Sequence, residues 1–529
     1  MNKRMKTFKF LLPLLMVATV VFTSCEKTEE DFSVKGITLD KPALNLKPGA
    51  EEVLTFTIYP ANAANKAVTW SSDNEAVATV SADGKVSAVK PGNAAITVTT
   101  VDRNETATCS VVVSLNDPIT TSGNVEGVWP KYSIVNVTGH LNIPAGKSLT
   151  IEEGVEVIVS DAAVDASGTK IEIIVNGNLY SKGTAEAPVL FSVTPAKRTS
   201  ANAFARFWGG IIGSATCGAM LLQHTTVEYT GAVTTVNSPS VTAGLFKPAG
   251  GEAMVAFNTN NPAGKYVVQN CTFRYTGEDA IYVQGGDCIF SNNTFYANGE
   301  AGGEAINVKA GCTVDAAFNL MYSPNTNALK LSSSGQDPTR HQALIKGYNN
   351  TIINAGWRRD PNKPKGGSVW LEMGCLVEIY NNLIVNSMFA VRQDGANLPD
   401  DNSQVNHNFY ASGTQQSSVS QHIANGTVTA FDGFKAGVQN IVIGANDKVG
   451  QSAGDNDPRF VDFPYTTNPL LSYDNFSASW NFHLQAGSPA LTGAKTDFEP
   501  YFAATGITIA GKEYKSPRPA SYFGAFGAN

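Results

Sequence analysis

Seven residues in the middle of the chain are of types that do chemistry on sugars: Tyr282, Lys309, Lys330, Trp370, Glu372, Arg392 and Asp394. Aromatic faces stack on sugar rings, and Lys and Arg grip uronate or sulfate groups through charge-assisted hydrogen bonds. A lysine can remove a proton beside a carboxylate, and a Glu with an Asp can hold a hard cation such as calcium. Tyr282, Trp370, Lys330 and Arg392 are therefore the glycan-binding candidates. Lys309, Lys330 and Arg392 are the catalytic candidates if the chain cleaves a uronate polymer by β-elimination, with Glu372 and Asp394 as the metal ligands. An exposed sheet face is also ordinarily polar, so a solvated surface without a ligand stands beside both readings.

A repeat brings these residues together. Six polar or mixed pairs recur, at Asn270-Cys271, Asn292-Asn293, Phe318-Asn319, Asn349-Asn350, Asn381-Asn382 and His407-Asn408, and the second members are spaced by 22, 26, 31, 32 and 26 residues. A period in the twenties with variable excess is that of a solenoid whose extra residues bulge as loops. The excess falls at 297–303, 333–340 and 356–367, and the last loop, with Trp357, Arg358 and Arg359, is either a wall over the face or solvent decoration. Asparagine suits the turn because it tolerates a left-handed backbone and bonds neighbouring main chain, so stacked coils align the amides into a ladder.

After each pair comes a strand that aligns without gaps. Ala280, Ala305, Ala328, Ser368 and Ala390 form one column; Ile281, Ile306, Leu329, Val369 and Val391 form the next. Side chains alternate faces along a strand, so this apolar column and that of Val283, Val308, Leu331, Leu371 and Gln393 point inward. The columns between them, Tyr282-Asn307-Lys330-Trp370-Arg392 and Gln284-Lys309-Ser332-Glu372-Asp394, point outward on rungs ~4.8 Å apart.

This arrangement resembles the right-handed parallel β-helix of pectate-lyase-like proteins, which include the chondroitinase B and alginate lyase type of enzyme. The resemblance implies an asparagine ladder, inward aliphatic stacks and an outward carbohydrate-binding sheet. Enzymes of this type use Lys or Arg near a calcium held by acidic residues. Only Lys309, Lys330, Arg392, Glu372 and Asp394 stand where such roles fit, and no catalytic motif is matched in full.

The chain opens with a secretory signal over residues 1–24: Lys3, Arg4, Lys6 and Lys9, an apolar run to Phe22, then Thr23-Ser24 before Cys25. The junction resembles the lipobox of bacterial lipoproteins of the Bacteroidetes type, which implies lipidation of Cys25. The acidic tether over 25–33 resembles a surface-export tag, so the expected location is the outer membrane, lipid-anchored and facing the exterior. Removing the signal takes the formal net charge from −7 to −11, because the segment holds four cations and no acid. That balance argues against nucleic acid as a partner, which needs a basic footprint.

Residues 34–114 read as a small antiparallel sandwich of alternating strands punctuated by Asp83-Gly84 and Pro91-Gly92. Val68-Thr69-Trp70-Ser71-Ser72, Ala76-Val77-Ala78-Thr79-Val80 and Gly84-Lys85-Val86-Ser87-Ala88 make it similar to the group 2 bacterial Ig-like domain, a surface spacer or adhesive module in that family. Residues 115–529 read as one β-helix, with Leu149-Thr150-Ile151-Glu152-Glu153-Gly154 in its opening coils and a closing coil near 457–490. The expected fold is thus all-β, an Ig-like sandwich followed by a right-handed parallel β-helix. The cysteines after Cys25 show no Cys-x-x-Cys spacing and read as buried thiols.

Three functions fit these readings. The favoured one is a non-catalytic, cell-surface glycan-binding or adhesive lipoprotein whose partners are a polysaccharide and the outer membrane. The alternatives are a polysaccharide lyase, with calcium as its one candidate cofactor, and a purely structural surface protein.

Overall fold

The computed structural model describes residues 31–248, 254–300, 302–358, 366–411, 421–424, 427–430, 440–450, 454–464 and 476–529. Cys25 and Arg359 lie outside these residues. The described residues divide into two compact units, 31–46 with 50–113, and 47–49 with those from 114 onward. No helix among the described residues is long and apolar enough to cross a membrane.

In the first unit, Ala43–Leu46, Thr106–Val113, Gly92–Thr100 and Val68–Ser72 form a four-stranded sheet, and Glu51–Val53, Lys85–Ala88 and Ala78–Val80 a three-stranded one. The alternation read from the sequence supplies the core between them: Leu44, Leu54, Val86, Ile96, Cys109 and Val111 are buried. Trp70 packs against this core, and a Cβ at Gly84, where φ is +81°, would lie 2.6 Å from the Leu54 carbonyl oxygen and 2.9 Å from the indole. Gly84 is required both by its left-handed turn and by the ring beside it.

The second unit is a parallel β-helix built from three stacked sheets. One runs from Gly127–Trp129 to Gln404–Val405 and contains ten strands, every pair parallel. A second includes Val189–Ser192, Thr272–Thr276, Leu320–Tyr322 and Phe409–Ala411; a third includes Ile211–Gly213, Ile281–Val283, Asn327–Ser332 and Val391–Gln393. Inside the coils the apolar columns stack directly, as with Phe273 on Phe295 at a centroid distance of 5.5 Å.

The two members of each recurring pair divide the work expected of asparagine. The first takes the left-handed conformation: Asn270, Asn292, Phe318, Asn349, Asn381 and His407 all have φ between 49° and 59°. The second builds the ladder. Asn293 Nδ2 donates to Asn319 Oδ1 (3.0 Å), Asn319 to Asn350 (2.9 Å), Asn350 to Asn382 (2.9 Å) and Asn382 to Asn408 (2.9 Å). Each amide also donates to a carbonyl inside the coil and accepts the backbone N–H of its predecessor, as Asn350 does with Ala316 O and Asn319 N. The ladder ends on a carboxylate, since Asp447 Oδ1 accepts the Asn408 N–H at 2.7 Å.

The final segment does not extend the stack as a closing coil. Phe460–Asp462 pairs antiparallel with Asn481–Leu484, and the chain then runs back along the flank of earlier coils. Asp315 accepts from the N–H groups of Tyr501 and Phe502 and from Ser516 Oγ, while Tyr348 Oη donates to Pro517 O. This strap covers side chains such as Tyr348 and Tyr380, which face away from the coil interior and pack against Phe498. The cysteines at 109, 217, 271, 288, 312 and 375 are free and buried.

Candidate functional site

The third sheet carries the residues singled out from the sequence, in the register that the alignment predicts. Tyr282 pairs with Asn307, Asn307 with Lys330, Lys330 with Trp370, and Trp370 with Arg392. The flanking columns of Ile281, Ile306, Leu329 and Val369 point into the core.

The outward face is more covered than a solvated sheet. Trp370 and Arg392 are 5% and 6% exposed. The Arg392 guanidinium lies over the Trp370 ring at 5.2 Å and over Phe389 at 4.2 Å, and Trp370 Nε1 donates to Glu372 Oε2 at 2.8 Å. These two residues, expected from the sequence as glycan contacts, pack against each other and leave little of either surface exposed. Burial also pulls the Arg392 pKa down to about 10.

Glu372 and Asp394, the expected metal pair, meet different partners. The strand ends at Gln393, and Asp394 Oδ1 accepts the N–H groups of Ala396 and Asn397, both at 2.8 Å, so that carboxylate caps a turn. Glu372 faces lysines instead, with Oε1 3.9 Å from both Lys309 Nζ and Lys330 Nζ.

The acidic groups that do converge lie one or two positions upstream of the alanine column. Glu278, Asp279 and Glu304 bring carboxylate oxygens within 4.8 Å of one another. Asp279 and Glu304 occupy the same place on successive coils, each directly before the alanine that opens its strand, and Asn327 follows on the next coil. Asp279 Oδ1 accepts the Glu304 N–H at 2.7 Å, and its Oδ2 accepts from Asn307 Nδ2 at 2.8 Å. Asn327 Nδ2 donates to Glu304 Oε1 at 3.3 Å, and Lys330 Nζ stands 4.0 Å from the same oxygen. Gly302 makes room for Glu278, because a Cβ there would sit 1.7 Å from Glu278 Oε1.

Burial drives the protonation of this cluster. Loss of water, then the charge of Glu304, pushes the Glu278 pKa up to about 7 and raises that of Asp279 well above the usual carboxylate range. For Glu304 burial works in the same direction, but the hydrogen bond with Asp279 and the charge of Lys330 outweigh it and hold the pKa low. Burial thus favours a proton within the cluster, and the Lys330 charge favours an ionised Glu304. Burial and the neighbouring Lys330 lower the pKa of Lys309, whose ammonium lies 5.6 Å over the Tyr282 ring.

The cluster opens into a cleft of about 620 Å³ lined by Glu278, Asp279, Glu304, Asn307, Lys330 and Tyr282, with Gly244 to Lys247 on the facing wall. Asn307 is 4% exposed, and its Oδ1 has no hydrogen-bond donor among the described residues. A calcium ion fits this oxygen-rich set better than Glu372 with Asp394.

An Ig-like domain and a parallel β-helix bearing an acidic cleft define the class of protein. Residues 33–111 match the family model of the bacterial Ig-like domain (group 2), so this part of the chain is such a domain. Among curated proteins the chain is similar to an Ig-like virion protein of Serratia phage KSP90, 42% identical over 83 residues, which are 16% of this chain and 32% of that one. It is 39% identical over 79 residues to an uncharacterized protein of Clostridium acetobutylicum, covering 15% of this chain and 8% of the relative. It is also 57% identical over 47 residues to an alpha-L-arabinofuranosidase of Bifidobacterium longum, covering 9% and 4%. The chain thus spans no more than 32% of the length of any of these three relatives.

Proposed function

We propose that this chain is a cell-surface lipoprotein, anchored through Cys25 in an outer membrane, that binds a neutral glycan in the cleft of its β-helix. The single observation that carries the glycan reading is the convergence of Glu278, Asp279, Glu304, Asn307 and Lys330 beside Tyr282 in one cleft. Carboxylates and amides are hydroxyl partners, Tyr282 supplies a ring for stacking, and the orphan Asn307 Oδ1 is an acceptor that a sugar hydroxyl satisfies. A uronate polymer fits less well, since its carboxylates would meet the acidic cluster. A calcium ion held by Glu278, Asp279, Glu304 and Asn307 Oδ1 would supply the charge to reverse that preference.

The test is retardation of the full mature chain on affinity gels containing arabinan, galactan, xylan, mannan, alginate or polygalacturonate, with and without calcium. Retention on one or more neutral polymers, weakened by Tyr282→Ala, supports the reading. Migration unaffected by every polymer overturns it.

A further inference from the structure

A second cleft opens on the second sheet of the β-helix, on the same coils as Tyr282 and Asn307. Along that sheet Phe273 and Phe295 point inward and stack, so Thr272, Arg274, Thr294 and Tyr296 point outward. On the following coils the outward positions turn apolar, and Leu320, Tyr322, Ile353 and Leu383 are buried in one cluster with Phe460, Phe482 and Phe523 of the C-terminal segment. That cover reaches Tyr296, where Phe476 stacks on its ring at a centroid distance of 4.1 Å. Beyond the contact lies a cleft of about 620 Å³. The geometry points to a further sugar-binding site here, separate from the acidic cleft, in which a neutral sugar ring rests against Trp480 and Phe526 while Arg274, Thr272 and Thr294 hold its hydroxyls.

Arg274 is built into the floor of this cleft. Its Nε donates to Glu228 Oε2 and its Nη1 to Tyr296 Oη, the latter at 2.7 Å. Glu228 is fully buried and also accepts from Ser192 Oγ. The guanidinium is thus fixed and its charge met from below, while its Nη2 has no acceptor among the described residues and its side chain is 35% exposed. What it offers the cleft is a directional donor.

Thr272 and Thr294 face each other on paired strands and add two hydroxyls to that floor. Trp480 and Phe526 are half-buried and form an aromatic wall. A sugar ring carries apolar C–H faces inside a rim of hydroxyls, which matches an aromatic wall beside a few placed polar groups in a cleft of this size. An acidic sugar is the poorer fit, because the Arg274 charge is already paired with Glu228.

The experiment runs the affinity gels on the full mature chain as wild type, Tyr282→Ala, Thr294→Phe and the double variant. Thr294→Phe fills the cleft from an outward strand position that suits an aromatic residue. Retention on arabinan, galactan, xylan or mannan should weaken by about tenfold in Thr294→Phe, and further in the double variant. Arg274→Lys keeps a cation beside Glu228 but loses the Nη2 donor, and should reproduce the loss. It keeps the test standing if near-ultraviolet circular dichroism shows Thr294→Phe to be misfolded. Retention equal to wild type in both variants on every polymer overturns this site and leaves the acidic cleft as it was. Retention that Tyr282→Ala leaves unchanged and Thr294→Phe abolishes supports this site and removes the first. A wild type that no polymer retains overturns both, and a loss confined to alginate or polygalacturonate overturns the neutral sugar.

Discussion

Glu304 donates its backbone N–H to Asp279 Oδ1 at 2.7 Å across one turn of the β-helix, and the two carboxylates end within 4.8 Å of each other. Two acids buried this close resist ionising together, and Lys330 at 4.0 Å from Glu304 favours the charge on that side. Charge-removing substitutions test this. Glu304→Gln keeps the shape but leaves Lys330 with Glu372 alone of its two carboxylate neighbours, and glycan retention should weaken by at least about tenfold on the affinity gels.

Stability should fall as pH rises from about 4 to 7. Burial raises the pKa of Asp315 from 3.8 to about 6, and that of Glu278 from 4.5 to about 7. An acid whose pKa is higher in the folded state favours folding while protonated, and that contribution is lost as pH climbs from the unfolded value through the folded one. For Asp315 the loss approaches ~3 kcal/mol. Thermal melting across this range measures it, and Asp315→Asn should flatten the slope.

The ladder is the most sensitive part of the interior. Asn350→Ala strands the Asn319 N–H and Nδ2, the Ala316 carbonyl and one acceptor on Asn382, at a cost of about 2–4 kcal/mol. Asn350→Asp should cost more, because a carboxylate keeps the acceptor but sets an oxygen against two others. Urea unfolding of both variants provides the comparison.

Tyr282 and Trp370, equivalent on the sequence, should part company on mutation. Tyr282→Ala is expected to weaken glycan retention by about 1–3 kcal/mol with little loss of stability. Trp370→Ala removes a ring held between Arg392 and Glu372, and should lower stability by about 3–5 kcal/mol. Affinity gels and melting curves on the same two variants separate these effects.

The strap over 495–529 hangs on Asp315. Asp315→Ala removes the acceptor for Tyr501 N, Phe502 N and Ser516 Oγ together, and should expose the strap to limited proteolysis while the coils stay resistant. Mass spectrometry of the cut sites checks it.

The repeat was legible because a parallel β-helix is nearly one-dimensional. Each coil meets only its neighbours, so aligning coils in the sequence already aligns them in space, and the pairing of Tyr282, Asn307, Lys330, Trp370 and Arg392 follows. The acidic cluster was in the same alignment, as the column Asp279, Glu304, Asn327 directly before the alanines. It is harder to read than the strand columns, because these residues stand at the turn where one sheet ends and the next begins and no inward–outward alternation marks them.

The sequence by itself determined the all-β class, the Ig-like domain, the coil register and the asparagine ladder, since all of these depend on local periodicity and on contacts between equivalent positions. Tertiary structure alone decided which outward residues meet solvent. Trp370 and Arg392 alternate correctly yet are covered, and Asp394 stands in the right column yet caps a turn. Loops between coils and the returning C-terminal strap have no period, so what they cover cannot be read from spacing. The protonation of Asp279 and Glu304 likewise depends on burial and on charges several residues or a whole coil away, which exist only once the coils are stacked.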